Sequence, residues 1–391
     1  MARSGMLDVA VVGAGPAGLA AALRLQALGM KVAIIADQWP RPWSAQEYDL
    51  RVVALAPDAQ RLLDGLGVWR AVLEARAQPV LGMRIDEASA PTTLGFDAAA
   101  SGLPALAWII ELGLLADRLA KAWISAGGEL HEGVAVDSLT LSTDSAVLNL
   151  NSGERVRARL IVAADGAASP LRTASGISVD QRDYEQRALV CAVSTARAHQ
   201  QIASQRFLSS GPLAFLPLSD GRSSIVWSTS SDHAQHLLDL SDGDFCAALS
   251  AVAGDLVGEI LSCGPRAAFP LRLQLARQYC GERLVLLGDA AHQVHPLAGQ
   301  GLNLGLRDVD KLAEVAAWAS RGGLDPGLPG VLGRYQRAQR SDSWVAAHAF
   351  DGLERWFSIS EGPLAQLRRS GFRWVANSAM ARHWLTRMAT R

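Results

Sequence analysis

The sequence predicts an α/β fold built on a parallel sheet, and three short apolar runs carry that prediction. Residues 8–12 run into Gly13, residues 159–164 into Asp165 and Gly166, and residues 284–287 into Gly288 and Asp289. Continuous apolar strands of this kind are buried on both faces, as in sheets covered by helices. The length of 391 residues allows two to three domains at roughly 150 residues each.

The first run opens a complete βαβ unit. Gly13, Gly15 and Gly18 form a G-x-G-x-x-G loop, with Ala17 inside it. An alanine- and leucine-rich helix follows and stops at Gly29, a plausible C-cap. A second apolar run, Val32 to Ala36, closes the unit. Gly13 permits the tight turn, Gly15 lets backbone approach a pyrophosphate, and Gly18 lets the helix pack close to the strand. The helix N-terminus offers free N–H groups and partial positive charge to phosphates. The unit therefore predicts a Rossmann-like dinucleotide site. An acidic residue is expected at the end of the second strand to hold a ribose. Ala36 stands there, and Asp37, one residue on, is the candidate in its place.

The second run ends in Asp165 and Gly166, followed by Ser169 and Arg172. Alone, it reads as a strand and a turn. The third run is richer. After Gly288 and Asp289 come His292, His295, Pro296, Gly299, Gln300, Gly301, Leu302, Asn303 and Gly305, with a helix beginning near Gly301 or Leu302.

Together these segments resemble the group A FAD-dependent monooxygenases, the para-hydroxybenzoate hydroxylase-like enzymes. The third segment is similar to the ubiquinone-biosynthesis hydroxylases among them. Further similarity lies at Asp49 to Pro57 with Leu66 to Trp69, at Gln205 to Ser228, and at Phe269 to Arg272. It extends to about residue 357. The resemblance implies FAD as cofactor, O2 as co-substrate and NAD(P)H as reductant. It implies hydroxylation, through a flavin C4a-hydroperoxide, of an aromatic ring in a polyprenylated phenol or quinol of ubiquinone biosynthesis. It places Asp289 on the flavin ribityl chain, the amides of Gly299 to Asn303 against the isoalloxazine, and Asp165 and Gly166 near the pyrophosphate and the passing nicotinamide. Arg51 is the counterpart of a flavin-contacting arginine. A helix starting at Gly301 or Leu302 would put partial positive charge beside the ring edge that becomes anionic on reduction. One arginine of the pattern, in what reads as a helix after Trp108, is replaced by Gly113.

Composition excludes other classes. Hydrophobic residues make up 49% and charged residues 19%, too apolar for a disordered chain. The net charge of −1 gives no bulk field for nucleic acid. Cys191, Cys246, Cys263 and Cys280 are scattered without a C-x-x-C, so neither a disulfide scaffold nor a thiolate zinc site is expected. No apolar stretch reaches the roughly 18 residues needed to span a bilayer. There is no G-x-S-x-G elbow for a serine hydrolase. A cytoplasmic protein is expected. Lys31, Lys121 and Lys311 are the only lysines against many arginines, a bias of GC-rich bacterial genes.

His292 and His295 stand three apart in what reads as a loop, with no third ligand near, so no metal site is expected. His295 and Pro296 are the candidates for the reactive side of the flavin. After Glu361 the chain holds Arg368, Arg369, Arg373, Arg382, Arg387 and Arg391 among aromatic and aliphatic residues, with no acid. Such a tail suits an anionic surface at the inner membrane, or a helix packed on its own domain.

The expected organisation is a discontinuous FAD domain (1–75, 98–180 and 281–345), a mostly antiparallel substrate sheet (76–97 and 181–280) and a C-terminal helical region (346–391). Polar-apolar alternation from Arg222 to Thr229 supports one strand of the second sheet. The implied substrate is membrane-derived, which calls for partners in a biosynthetic complex or a lipid-facing channel. Two further readings stand beside this one. One is a hydroxylase of a soluble aromatic metabolite; the other is a non-catalytic scaffold relative, motivated by Ala36 and Gly113.

Overall fold

The structure is a computed structural model that describes residues 5–87, 90–293 and 300–339. Its first sheet runs in the order Cys280–Gly281, Leu284–Leu286, Arg155–Ala163, Leu7–Val12, Val32–Ala36, Glu129–Glu132. The last five are parallel. Leu7–Val12 and Val32–Ala36 are buried almost throughout, which is why they read as unbroken apolar runs. Val136–Leu141 and Ala146–Leu150 form an antiparallel extension on Arg155–Ala163.

Helices Pro16–Gln26, Leu112–Ser125 and Gln300–Arg321 pack with this sheet into one apolar core, to which Leu19, Leu119, Trp123, Leu306 and Leu312 contribute. Residues 329–339 are helical and bring Tyr335 into the same core. The helix Gln300–Arg321 begins one residue before Gly301, the earlier of the two expected starts.

A second sheet of nine strands contains one parallel pair, Ile202–Leu208 with Gly82–Glu87. Its other pairings are antiparallel. Its spine is the long strand Val179–Thr195. On one face Cys191, Phe215, Ile225 and Trp227 pack under helices Ser231–Asp239 and Asp242–Ala253 through Leu237, Phe245 and Leu249. Strand Ser223–Ser230 lies where the alternation from Arg222 to Thr229 predicts one. It is central in the sheet, and Ser224, Ser228 and Thr229 are buried. Both its faces are covered, so alternation here separates two buried environments rather than core from water.

A third sheet of three strands lies between the larger two. Ala107–Glu111 is its centre, flanked antiparallel by Val52–Leu55 and Gln78–Val80. This corrects the helix expected after Trp108. Residues 107–111 are a strand, and the helix starts at Leu112. Trp108, Ile109 and Ile110 are buried on both sides, and β-branched residues favour a pleated surface. Ile109, Val52 and Ala54 meet Ala192, Ala203, Leu216 and Leu218 of the large sheet.

Candidate active site

The parallel strands all end on one edge, and their ends are stitched together. Gly13 N donates to Ile35 O at 2.9 Å, Ala164 N to Val12 O at 2.8 Å, and Leu287 N to Ala163 O at 2.9 Å. The glycine loop, Asp165 and the turn at Gly288 thus emerge side by side. Ligands of open α/β sheets bind at such carboxyl ends.

The three loop glycines differ in what surrounds them. A Cβ on Gly13 would stand 2.2 Å from Ala164 O, and one on Gly18 would stand 2.2 Å from Gly13 O. Gly13 also has φ +110°, which strains any side chain. These two glycines hold the loop against the sheet. Gly15 is exposed, and a Cβ there would meet nothing within 4 Å. Gly15 caps helix Pro16–Gln26, whose N-terminus receives no side-chain hydrogen bond. The first turn is open to an anion.

The turn at Gly288 closes onto this loop. A Cβ on Gly288 would lie 3.4 Å from the Ala17 methyl, and one on Gly305 would lie 3.2 Å from the Gly288 Cα. Ala17, Gly288 and Gly305 therefore meet at one crowded point, and only small residues fit. Asp289 extends from there. Its surface is exposed, yet the protein mass around it desolvates the carboxyl and raises its pKa; Asp308 adds to the rise and His292 opposes it.

Beneath the turn lies a buried polar cluster. Asp308 Oδ2 accepts from Gly288 N at 2.8 Å and pairs with His292 Nε2 at 2.7 Å. Gln339 Nε2 donates to Asp308 Oδ1. Burial alone would lower the His292 pKa, but the charge and hydrogen bond of Asp308, with Asp289 behind it, outweigh that and raise it. His292 was expected in a loop. It lies in a short strand, His292–Gln293, paired with Ala267–Ala276. Among the described residues no group of three or more His, Cys, Asp or Glu could hold a metal ion.

The long helix reaches the third sheet through Asn303. Its side chain accepts from Ala56 N at 2.9 Å and donates to Ala54 O at 2.8 Å. Sequence reasoning took Asn303 for its amide; the structure gives its side chain the work of clamping strand Val52–Leu55. Arg51, exposed, immediately precedes that strand. Asp49 sets its backbone by accepting from Arg51 N at 2.9 Å and from Gly113 N at 3.1 Å. Glu111, almost fully buried, accepts from Asp49 N at 2.7 Å and from Arg76 at 3.2 Å. Burial raises the Glu111 pKa, against the pull of the Asp49 amide and Arg76.

Asp165 lies just past strand Arg155–Ala163. Burial raises its pKa, opposed by Ser169, the Leu171 N–H and Arg172. Its Oδ1 is buried without a hydrogen-bond partner, an orphaned acceptor at the strand edge. Arg172 ties this segment to the next, donating to Ala167 O at 2.8 Å and to Ala290 O at 2.9 Å. Gly166 has φ +87°, which suits the Asp-Gly turn.

Of the sequence-predicted residues, Gly13, Gly15, Ala17, Gly18, Asp165, Gly166, Gly288 and Asp289 thus gather along the strand ends. Gln300, Gly301, Leu302 and Asn303 form the first turn of the long helix beside them. Asp37 is exposed just past strand Val32–Ala36, on the same edge. His295, Pro296 and Gly299 lie outside the described residues. Sequence reasoning missed Asp308, Glu111 and Arg76; each is a charged residue whose partner is distant in the chain. An open glycine cradle, an uncapped helix N-terminus, an orphaned carboxylate oxygen and an accessible aspartate fit a dinucleotide with a polyhydroxyl arm.

A family model described as an FAD binding domain matches residues 6–341. The chain belongs to the FAD-dependent aromatic-ring monooxygenases. Within them it falls with the ubiquinone hydroxylases. It is 38% identical over 365 residues to ubiquinone hydroxylase UbiL of Rhodospirillum rubrum, covering 93% of this chain and 85% of that one. It is 35% identical to 3-demethoxyubiquinol 3-hydroxylase of Escherichia coli K12, covering 93% of each. The fold of this monooxygenase is also that of p-nitrophenol 4-monooxygenase PnpA from Pseudomonas putida, with a TM-score of 0.78 at 18% identity over 98% and 97% of the chains. PqsL of Pseudomonas aeruginosa superposes with a TM-score of 0.75 at 21% identity, over 94% and 100%. The monooxygenase uses FAD and O2. Among its described residues no helix is long and apolar enough to cross a membrane.

Proposed function

We propose that this monooxygenase hydroxylates the ring of a prenylated phenol or quinol on the route to ubiquinone. The observation that carries the cofactor geometry is the Ala17–Gly288–Gly305 contact. It joins the pyrophosphate loop to Asp289, so that one elongated dinucleotide can span both. In this reading the amides after Gly15 receive the pyrophosphate, Asp37 takes the adenosine ribose and Asp289 takes the ribityl hydroxyls. Asp165 and Gly166 line the pyrophosphate side. Arg51 and the first turn from Gln300 to Asn303 flank the flavin ring. His295 and Pro296, outside the described residues, are the groups this reading assigns to the reacting centre. When bound, FAD supplies the activation of O2 and the transfer of one oxygen atom to the ring, with NAD(P)H as reductant. The chain's own residues bind, orient and keep water out.

The substrate class rests on the two ubiquinone-pathway relatives. In domain terms, residues 1–75, 98–180 and 281–345 would carry the cofactor, and 76–97 with 181–280 would cover the substrate. The basic aromatic tail after Glu361 lies outside the described residues. It would bring the enzyme to an anionic inner-membrane surface or to a partner in a biosynthetic complex. Purification with a flavin spectrum, and accumulation of under-hydroxylated quinone intermediates in a deletion strain, test the whole reading. Colourless protein that binds no added FAD would favour a scaffold relative. Turnover of a water-soluble phenol, with no quinone defect in the deletion strain, would favour a hydroxylase of soluble metabolites.

A further inference from the structure

Residues 37–51 connect strand Val32–Ala36 of the first sheet to strand Val52–Leu55 of the third, and no helix or strand occupies them. Such a connection needs fixing from outside, because it has no ladder of its own. Arg76, the last residue of helix Trp69–Arg76, supplies it. Its guanidinium donates to Glu47 O at 3.1 Å, to Ala45 O, and to Glu111 at 3.2 Å. Its Cζ also lies 4.1 Å from the Tyr48 ring centroid and 5.1 Å from that of Trp43.

The stack continues on both sides. Arg118 lies 5.4 Å from Trp43, and Arg222 lies 5.2 Å from Tyr48. Cations and rings therefore alternate from helix Leu112–Ser125 to the turn of the substrate sheet. Tyr48 OH completes the bridge at 2.7 Å from Ser219 Oγ. One residue on, Asp49 fixes the Arg51 amide. The segment thus touches the large sheet at Tyr48 and reaches the proposed flavin contact at Arg51, with Arg76 between them.

We propose that Arg76 is the positioning residue of this segment. By holding Ala45, Glu47 and the Tyr48 ring at once, it fixes the register of Asp49 and Arg51. It thereby couples the Ser219 turn of the substrate sheet to the cofactor end. This rests on the reading of Arg51 as a flavin contact. A guanidinium is required, because its planar fork fixes the directions to Ala45 O, Glu47 O and the Glu111 carboxylate, whereas an ammonium is a point charge that sets no such geometry. The buried Glu111 carboxylate gives the cation its counter-charge, so Arg76 needs no other acid.

The test compares full-length wild type, Arg76→Lys, Arg76→Ala and Tyr48→Phe. FAD dissociation constants, melting temperatures and amide hydrogen exchange over residues 43–51 are measured on each. Arg76→Lys is expected to bind FAD about tenfold more weakly, as for loss of a charge-assisted bond set. Exchange should rise within 43–51 while the melting temperature holds. Tyr48→Phe should raise exchange at 46–49 alone. Millimolar guanidinium should restore FAD affinity to Arg76→Ala, and methylammonium should not. A purely structural arginine would shift the melting temperature and show no such selective rescue. Wild-type FAD affinity in Arg76→Lys with unchanged exchange would overturn the proposal. So would rescue of Arg76→Ala by either cation equally, or by neither. Wild-type protein that binds no FAD would instead overturn the functional reading on which it rests.

Discussion

Gly113 donates its amide to the Asp49 carboxylate at 3.1 Å, and a Cβ on Gly113 would stand 3.1 Å from that same oxygen. The glycine that replaces an arginine of the related pattern is thus a contact point. Asp49 caps helix Leu112–Ser125 from another segment, because the N-cap residue Glu111 gives it no side-chain bond. Asp49→Ala is expected to cost about 1 kcal/mol of stability, the usual size of a lost N-cap. It should also weaken FAD binding by freeing Arg51. Denaturant melts and FAD titration check this; unchanged values in both would show that the cap is idle.

The loop glycines should separate binding from folding. Gly15→Val places its side chain in open space at φ −70° and ψ 167°, a conformation any residue adopts. The protein should fold, melt normally and purify with little flavin. Gly13→Ala and Gly18→Ala drive a methyl into backbone at 2.2 Å and should fail to accumulate. A full flavin load on Gly15→Val would show that the pyrophosphate lies elsewhere.

Asp289→Ala should lower FAD affinity by roughly 1.5–3 kcal/mol, the range for a charge-assisted hydrogen bond. The raised Asp289 pKa adds a pH dependence. On the proposed ribityl contact the ionised carboxylate is the acceptor, so FAD affinity in the wild type should fall as pH drops through the raised value. Asp289→Asn should bind weakly at all pH and flatten the profile. Isothermal titration across the acid range measures both.

The His292–Asp308 pair predicts a stability profile of opposite sign. The folded-state pKa of His292 is raised, so the folded protein holds its proton more tightly than the unfolded chain. That contribution is complete below the unfolded value of about 6.5 and is lost as pH rises through the raised value. His292→Gln should flatten this part of the melting-temperature profile. Asp308→Ala leaves a buried imidazolium unpaired and should cost about 3–5 kcal/mol. An Asp308→Ala protein as stable as wild type would mean His292 is neutral.

Asp165 offers a last check. Its pKa is raised mainly by burial, so the ionised carboxylate burdens the folded state as pH rises through the raised value. Asp165→Asn should raise the melting temperature of FAD-free protein at neutral pH and leave it unchanged in acid. A lower melting temperature at pH 7 would show that the ionised carboxylate is stabilising.

The sequence by itself determined the parallel sheet, because strands buried on both faces must be apolar without interruption. Leu7–Val12 and Val32–Ala36 could hardly read otherwise. It also determined the glycine loop and the turn at Gly288, where Gly13 and Gly18 lie against backbone and Gly288 meets Ala17 and Gly305. Only the tertiary structure decided that residues 107–111 form a strand, since a short run of tryptophan and isoleucine suits either a buried strand or a buried helix. It alone revealed that Asn303 clamps Ala54 and Ala56, that Asp308 lies under Gly288, and that Arg76 holds residues 45–48. These pairings join residues far apart in the chain. Periodicity records which face of an element is buried; it carries no record of which polar partner another segment brings to that face.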